Sequence, residues 1–277
     1  MKKNILLLIS IVIASCTSSN ENVNTNIQKD TTASTTNPVE KKDSLKKDAR
    51  NIGPEKSPEQ TKIEEALKNT QNNTDNSLLG SWVGQFGQNK INIFIATAKD
   101  NSISGHSVCA GNFREIKGEL QDKGNGIYSA VMKEPGDNKY DGQFQFTINQ
   151  KDQTLQGEWT PFNTKATGSK KYSLSKKIVA YNPELGKYPQ GSTKLLKDTD
   201  ISNMLPEDLK YMRNEIYARH GYSFQNKEVR SMFDKLDWYV PVCVDVRDQL
   251  TDNEVANIDL IYQYEKYYEG SYDNYGR

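Results

Sequence analysis

Between Leu79 and Lys177 the apolar positions recur every second residue. Ile91, Ile93 and Ile95 alternate with polar or small neighbours, and Phe144, Phe146 and Ile148 alternate with Gln143, Gln145 and Thr147. Leu155, Gly157 and Trp159 repeat the pattern. A period of two places these residues on one face of a strand. Turn-forming clusters separate the runs, at Lys123-Gly124-Asn125-Gly126, Pro135-Gly136-Asp137-Asn138 and Gln150-Lys151-Asp152. About eight short strands fit, which predicts an antiparallel barrel or sandwich over residues 78–177.

Beyond a connector at residues 178–194, carrying Pro183, Gly186, Pro189 and Gly191, the period changes to that of a helix. Leu209, Met212 and Ile216 mark the buried stripe of a helix over Pro206–His220, with proline at its first position and Glu207 and Asp208 in its first turn. Gly221 stops it in a left-handed cap, which would fold Tyr222 onto Tyr217. Asn226 caps a second helix with Val229, Met232, Phe233 and Leu236 on one face, and Pro241 prevents its resumption. Thr251 to Glu254 is a capping box for a third helix, to Glu269, that buries Val255, Ile258, Ile261 and Tyr262. The fold class predicted is therefore α+β and multidomain, with a three-helix domain at residues 195–277.

The N-terminal 77 residues follow neither period. Lys2 and Lys3 precede an apolar run, Asn4 to Ile13, which is too short for a permanent membrane span and has the length of an export signal. Residues 16–77 are rich in Asn, Thr, Ser, Lys, Asp and Glu with almost no aromatic residue. Such a segment buries too little apolar surface to offset the entropy of ordering, so a disordered tether is expected, with a reach of about 40–45 Å. Ser57-Pro58-Glu59-Gln60 is a capping box within it, and Ile63 and Leu67 lie four apart, so a short helix is expected over residues 58–69.

Charge narrows the function classes. The 36 basic and 36 acidic residues balance, but residues 78–177 carry 13 basic against 9 acidic and residues 190–277 carry 11 against 16. Neither part has the concentrated basic face of a nucleic-acid binder. Opposite signs could favour docking of the two parts. Of three cysteines, Cys16 lies at the end of the signal, while Cys109 and Cys243 fall in different domains. Two separate buried thiols are expected, with one inter-domain bridge as the alternative open to an exported protein. Two histidines in different domains, His106 and His220, make a metal site improbable, and no cofactor is implied. His106, in a strand among Ser104, Gly105 and Ser107, is expected to be half exposed.

Ile13-Ala14-Ser15-Cys16 resembles a bacterial lipoprotein lipobox. The resemblance implies cleavage after residue 15 and a lipid, such as palmitate, on Cys16. It also implies a place in the cell envelope, with the outer membrane favoured and the leaflet open. Attachment is stable once two or more acyl chains are present. Leu78, Gly80 and Trp82 look like the L-x-G-x-W first-strand signature of lipocalin-like barrels, which implies a tryptophan plugging a closed end and a central apolar ligand. Small barrels are often filled by their own side chains instead.

The most patterned stretch, Arg213 to Phe224, resembles the YARHG domain. The resemblance spans roughly Leu195 to Tyr268 and rests on Arg213-Asn214, Ile216, Tyr217 to Gly221, Phe224, Trp238-Tyr239, Thr251, Glu254, Asn257, Ile258 and Tyr264-Glu265. It implies an extracytoplasmic location and a small helical fold. Tyr217 to Gly221 makes a well-formed helix terminus. In the functional reading, Arg213, Tyr217, Arg219, His220 and Trp238 form a candidate site for an anionic or polar ligand, because arginine suits carboxylate or phosphate. Tyr264, Tyr267, Tyr268, Tyr272 and Tyr275 form a stripe that could stack on sugar or peptide.

No catalytic pair stands out, so a non-catalytic envelope protein that binds a wall component, a glycan or a protein partner is the leading expectation. The alternatives are a lipocalin-like carrier of an apolar small molecule and a hydrolase using carboxylates such as Glu115, Glu119 or Glu158.

Overall fold

The computed structural model describes residues 38–50, 52–58, 60–61, 64–65 and 77–275. The lipobox and Cys16 lie outside the described residues, as do Ile63 and Leu67 of the expected short helix.

The alternating segments form eight strands: β1 Gly80–Phe86, β2 Asn89–Lys99, β3 Ser102–Cys109, β4 Asn112–Asp122, β5 Ile127–Lys133, β6 Gly142–Asn149, β7 Thr154–Pro161 and β8 Lys170–Lys177. Each pairs antiparallel with the next, and β8 pairs with β1 to close a barrel. Closure decides between barrel and sandwich. The inward positions fill the interior with Trp82, Ile93, Ile95, Ile103, Ile116, Met132, Phe144, Phe146, Ile148, Leu155 and Leu174.

One end of the barrel is sealed. Trp82 is fully buried there, and its indole N–H donates to the Leu78 carbonyl at 3.0 Å. Leu78 is itself buried in the barrel core. Ser77 joins the seal, accepting from the Gln150 amide and the Lys176 ammonium. On the outer wall, His106 is not half exposed. It lies 2% exposed between the rings of Phe94 and Phe113, at 5.2 and 4.4 Å, and burial pushes its pKa down to about 3. The small neighbours on its own strand suggested an open surface, while the two rings come from the adjacent strands.

The helical domain contains the three expected helices and two short ones in the polar sequence ahead of them. Its elements are α2 Gln190–Thr193, α3 Asp198–Ile201, α4 Pro206–Arg219, α5 Lys227–Phe233 and α6 Asp252–Tyr275. Helix α4 ends as its sequence predicts. Gly221 has φ +76°, the Gly221 amide donates to Ala218 O at 2.9 Å, and the Tyr222 amide donates to Tyr217 O at 3.2 Å. The two tyrosine rings then meet at 6.2 Å, the contact that accompanies this ending. Asn226 caps α5 through Glu228 N and Val229 N. Thr251 and Glu254 bond reciprocally at the start of α6.

The expected tether needs correcting over its second half. Pro38–Asp48 is a helix, α1, and the chain after it packs into the helical domain. Ala49 and Ile52 are buried there, the Tyr217 hydroxyl donates to Ala49 O at 2.8 Å, and Tyr222 donates to Ile52 O. Arg50 pairs with Asp259, and Arg247 reaches Gly53 O. Average composition missed this because two small apolar anchors suffice when side chains of another domain satisfy the backbone carbonyls. Residues 58, 60, 61, 64 and 65 are helical, and Ser57 and Gln60 form the capping box at 2.8 and 3.2 Å.

The two domains meet at the unsealed end of the barrel. The Lys90 ammonium donates to Leu236 O at 2.6 Å and Tyr239 O at 2.9 Å, while its amide donates to Asp234 at 2.9 Å. Arg230 Nε donates to Asn89 Oδ1 at 2.9 Å. At the β3–β4 turn, the Gly111 amide donates to Ser223 Oγ at 2.9 Å. Gly111 has φ +76°, and a Cβ there would stand 2.1 Å from the Gln225 side chain, so only glycine allows this approach. Lys90→Met should weaken the docking by about 2 kcal/mol, the scale of hydrogen bonds to a charged donor. Limited proteolysis within 178–189 should then quicken several-fold, and an unchanged cleavage rate would show that the clamp does not hold the domains together.

Candidate functional site

The five ligand candidates of the helical domain do not converge on a cleft. Arg213 forms a two-point pair with Glu265, at 2.6 and 3.1 Å. Arg219, in contrast, is buried among groups it already satisfies: Leu185 O at 2.6 Å, Tyr188 O at 2.9 Å, Ser192 Oγ at 3.1 Å and Glu215 at 2.7 Å. Glu215 also accepts the amides of Lys187 and Tyr188, so this pair staples the connector onto α4. His220 Nε2 lies 2.9 Å from Glu254, and its ring stacks on Tyr181 at 4.4 Å. Burial alone would raise the Glu254 carboxyl, but bonds from His220, Thr251 and Ser192 outweigh it and hold the pKa below the usual value. Tyr217 is spent on Ala49, and Trp238 packs edge-on to Phe233 and Tyr239, at 6.4 Å from each. Tyr217, Arg219 and His220 turn their polar atoms inward, while Arg213 and Trp238 are half-buried.

The carboxylates considered for hydrolysis lie on the outer wall. The register aligns Glu119, Val131, Gln145 and Glu158 in one row across β4, β5, β6 and β7. Three strand spacings separate the two acids by roughly 14 Å. Paired carboxylates of glycoside hydrolysis stand about 5–9.5 Å apart. Glu115 sits beside Lys117, 3.2 Å away. This arrangement does not pair an acid with a base.

The barrel mouth does bring chemistry together. At the end opposite Trp82 lies a cavity of about 360 Å³. Phe86, Phe144 and Trp159 form its apolar wall, with Tyr140 at the lip, 54% exposed. Phe86 and Trp159 meet edge to face at 5.9 Å. Charged residues in the cavity lining are Arg114, Glu134, Asp141 and Lys170.

Each has a defined setting. Glu134 accepts from the Trp159 indole N–H at 3.1 Å and the Gly142 amide at 2.6 Å, yet burial raises its carboxyl to about 7. Asp141 is almost fully buried and accepts from Gly136 N at 2.8 Å, Asn138 N at 3.3 Å and Arg114. Arg114 also holds Asp137. The Lys170 ammonium sits over the faces of Phe86 and Trp159, 4.6 and 5.1 Å from the ring centres. Cys109 lines the same cavity as a free thiol, which burial raises to about 12. Cys243 is also free, so the two do not form a bridge.

Sequence inspection missed this site because no motif marks it. The available signal was strand parity. Arg114 falls in phase with Ile116 and Leu120, Glu134 with Ala130 and Met132, and Lys170 with Tyr172 and Leu174. A charge on the inward parity near a strand end marks a polar barrel mouth.

Among the described residues, no group of side chains could hold a metal ion. No curated protein and no solved structure matches the chain. Residues 187–266, which carry the Tyr217–Gly221 signature and the Glu254 it packs against, match the family described as YARHG domain, and the C-terminal helical unit of this chain is a YARHG domain.

Proposed function

We propose that this chain is a non-catalytic envelope protein, held to a membrane by lipid on Cys16, that binds a small molecule in the mouth of its barrel. The cavity carries this reading. It is concave, aromatic-walled and furnished with a few fixed polar groups, which is the usual make-up of a ligand site. Its depth is limited, since Met132, Phe146 and Leu174 fill the barrel interior. The ligand is therefore small and amphiphilic rather than a long apolar chain. The YARHG match supports the envelope-associated, non-catalytic role. The lipobox at residues 13–16 supports the anchor. Among the described residues, no helix is long and apolar enough to cross a membrane.

A second contact surface serves the wall, glycan or protein partner expected from the tyrosine stripe. Tyr267 is 70% exposed on α6 and meets Tyr268 edge to face at 5.8 Å. Tyr268 borders a shallow groove with Pro206, Lys210 and Glu269.

Both halves of the reading are measurable. Labelled palmitate should enter the wild-type chain and be absent from Cys16→Ser. Native mass spectrometry of the chain purified from envelopes should show an adduct of a few hundred daltons that Trp159→Ala loses. A chain lacking label in both forms, or adduct-free in both, would overturn the corresponding half.

A further inference from the structure

We propose that the barrel mouth takes a small organic monoanion, a carboxylate on an aromatic or short aliphatic frame, with Lys170 as its counter-charge. The inference rests on the mouth-binding reading above and adds the chemistry of the ligand.

One oxygen of each cavity carboxylate is already supplied: Glu134 Oε2 by Trp159 and Gly142, and Asp141 Oδ2 by Gly136, Asn138 and Arg114. Two cationic side chains of the lining keep open donors, Arg114 and Lys170. Arg114 Nε is buried with no partner, although the rest of its guanidinium is held by Asp137 and Asp141. Among the described residues, Lys170 has ring faces for partners and no carboxylate. Native structures seldom leave buried donors unmatched, because each costs about 1–3 kcal/mol. What Lys170 lacks is an anionic partner, and a carboxylate supplies one.

The competing charges fit less well. An organic cation would meet Lys170 already seated on the two rings. An uncharged apolar molecule would cover the donors without satisfying them. The apolar body of the proposed anion lies against Phe86, Phe144 and Trp159, where aromatic surface is available. A cavity of about 360 Å³ displaces on the order of a dozen waters, enough for one ring or a short chain.

Glu134 adds a dependence on pH. Its carboxyl, raised by burial to about 7, shares the cavity with Asp141 from the β5–β6 turn, Arg114 from β4, Trp159 from β7, Lys170 from β8 and Cys109 from β3. Below about 7 the neutral acid leaves two cations, Arg114 and Lys170, facing Asp137, Asp141 and the ligand. Above it, a second buried carboxylate repels the anion. Binding therefore tightens as the pH falls from 8 to 6.

The test titrates the full chain with 3-phenylpropionate, 3-phenylpropionamide and 3-phenylpropylamine, following the Trp159 indole N–H resonance. The acid should bind at least tenfold tighter than the amide or the amine. Lys170→Met should erase that preference while thermal unfolding stays unchanged, and Lys170→Arg should retain it. Affinity for the acid should fall several-fold from pH 6 to pH 8, and Glu134→Gln should flatten that fall. Equal binding of amide or amine, or wild-type affinity in Lys170→Met, overturns the monoanion inference and leaves mouth binding standing. Failure of all three compounds to move the resonance overturns both.

Discussion

Replacing Arg219 with methionine is expected to lower the stability of the YARHG domain by about 3–5 kcal/mol, the cost of removing one partner of a buried ion pair. The side chains of Arg219 and Glu215 are fully buried and 2.7 Å apart. Methionine would occupy much of the same volume, so packing changes little. The loss comes from Glu215, left with the Lys187 and Tyr188 amides and no counter-charge, and from the Leu185 and Tyr188 carbonyls, left without their donor. Urea denaturation of the full chain should show the helical transition moving to markedly lower urea, while the barrel transition moves little. Replacing both partners, Arg219→Met with Glu215→Leu, should recover only the part of the loss due to the buried charge, since the Lys187 and Tyr188 amides and the Leu185 and Tyr188 carbonyls stay without partners. A single variant as stable as wild type would mean that Arg219 is free to serve a ligand after all.

That experiment separates two readings of one motif, and it shows where sequence reasoning was strong. The termination of α4 was legible to the atom: Gly221 at positive φ, two backbone bonds closing the last turn, and Tyr222 on Tyr217. Local rules decide such an ending, since its partners lie within five residues. The capping boxes at Ser57 and Thr251 were legible for the same reason. Strand parity likewise gave the inward residues of β2, β6 and β7 before any pairing was known.

Long-range partners were not legible. Arg219 meets the connector, His220 meets the start of α6, and Tyr217 meets a segment 168 residues earlier. Nothing in the spacing of Y-A-R-H-G reveals that its polar atoms point inward. The docking of Ala49 and Ile52 was hidden in a polar segment because two anchors hardly change its average composition. The mouth was hidden differently. Its charges are scattered over 57 positions, from Arg114 to Lys170, and only barrel closure gathers them. The proposed site lies where local pattern and global topology disagree, at polar residues placed on an apolar parity.

Trp82→Ala carries the second large effect, in the other core. Among the described residues the ring is the largest fully buried side chain, and it both fills the sealed end and fixes Leu78 above it. Truncating a buried tryptophan typically costs about 3–5 kcal/mol, partly from lost transfer energy and partly from the cavity left behind. Collapse into that space is restricted, because closed strand pairing holds Val83 and Gly84 in register with Ser175 and Leu174. The barrel transition should therefore move by that amount while the helical transition, whose core is a separate cluster, moves little. Trp82→Phe should cost less, since it keeps an aromatic filler and loses the bond to Leu78. Binding at the mouth should survive in Trp82→Phe, because the plug and the cavity occupy opposite ends of the barrel. Loss of mouth binding in a Trp82→Phe variant that still folds would show that the two ends are coupled through the packed interior, and the mouth could then no longer be treated as an independent site.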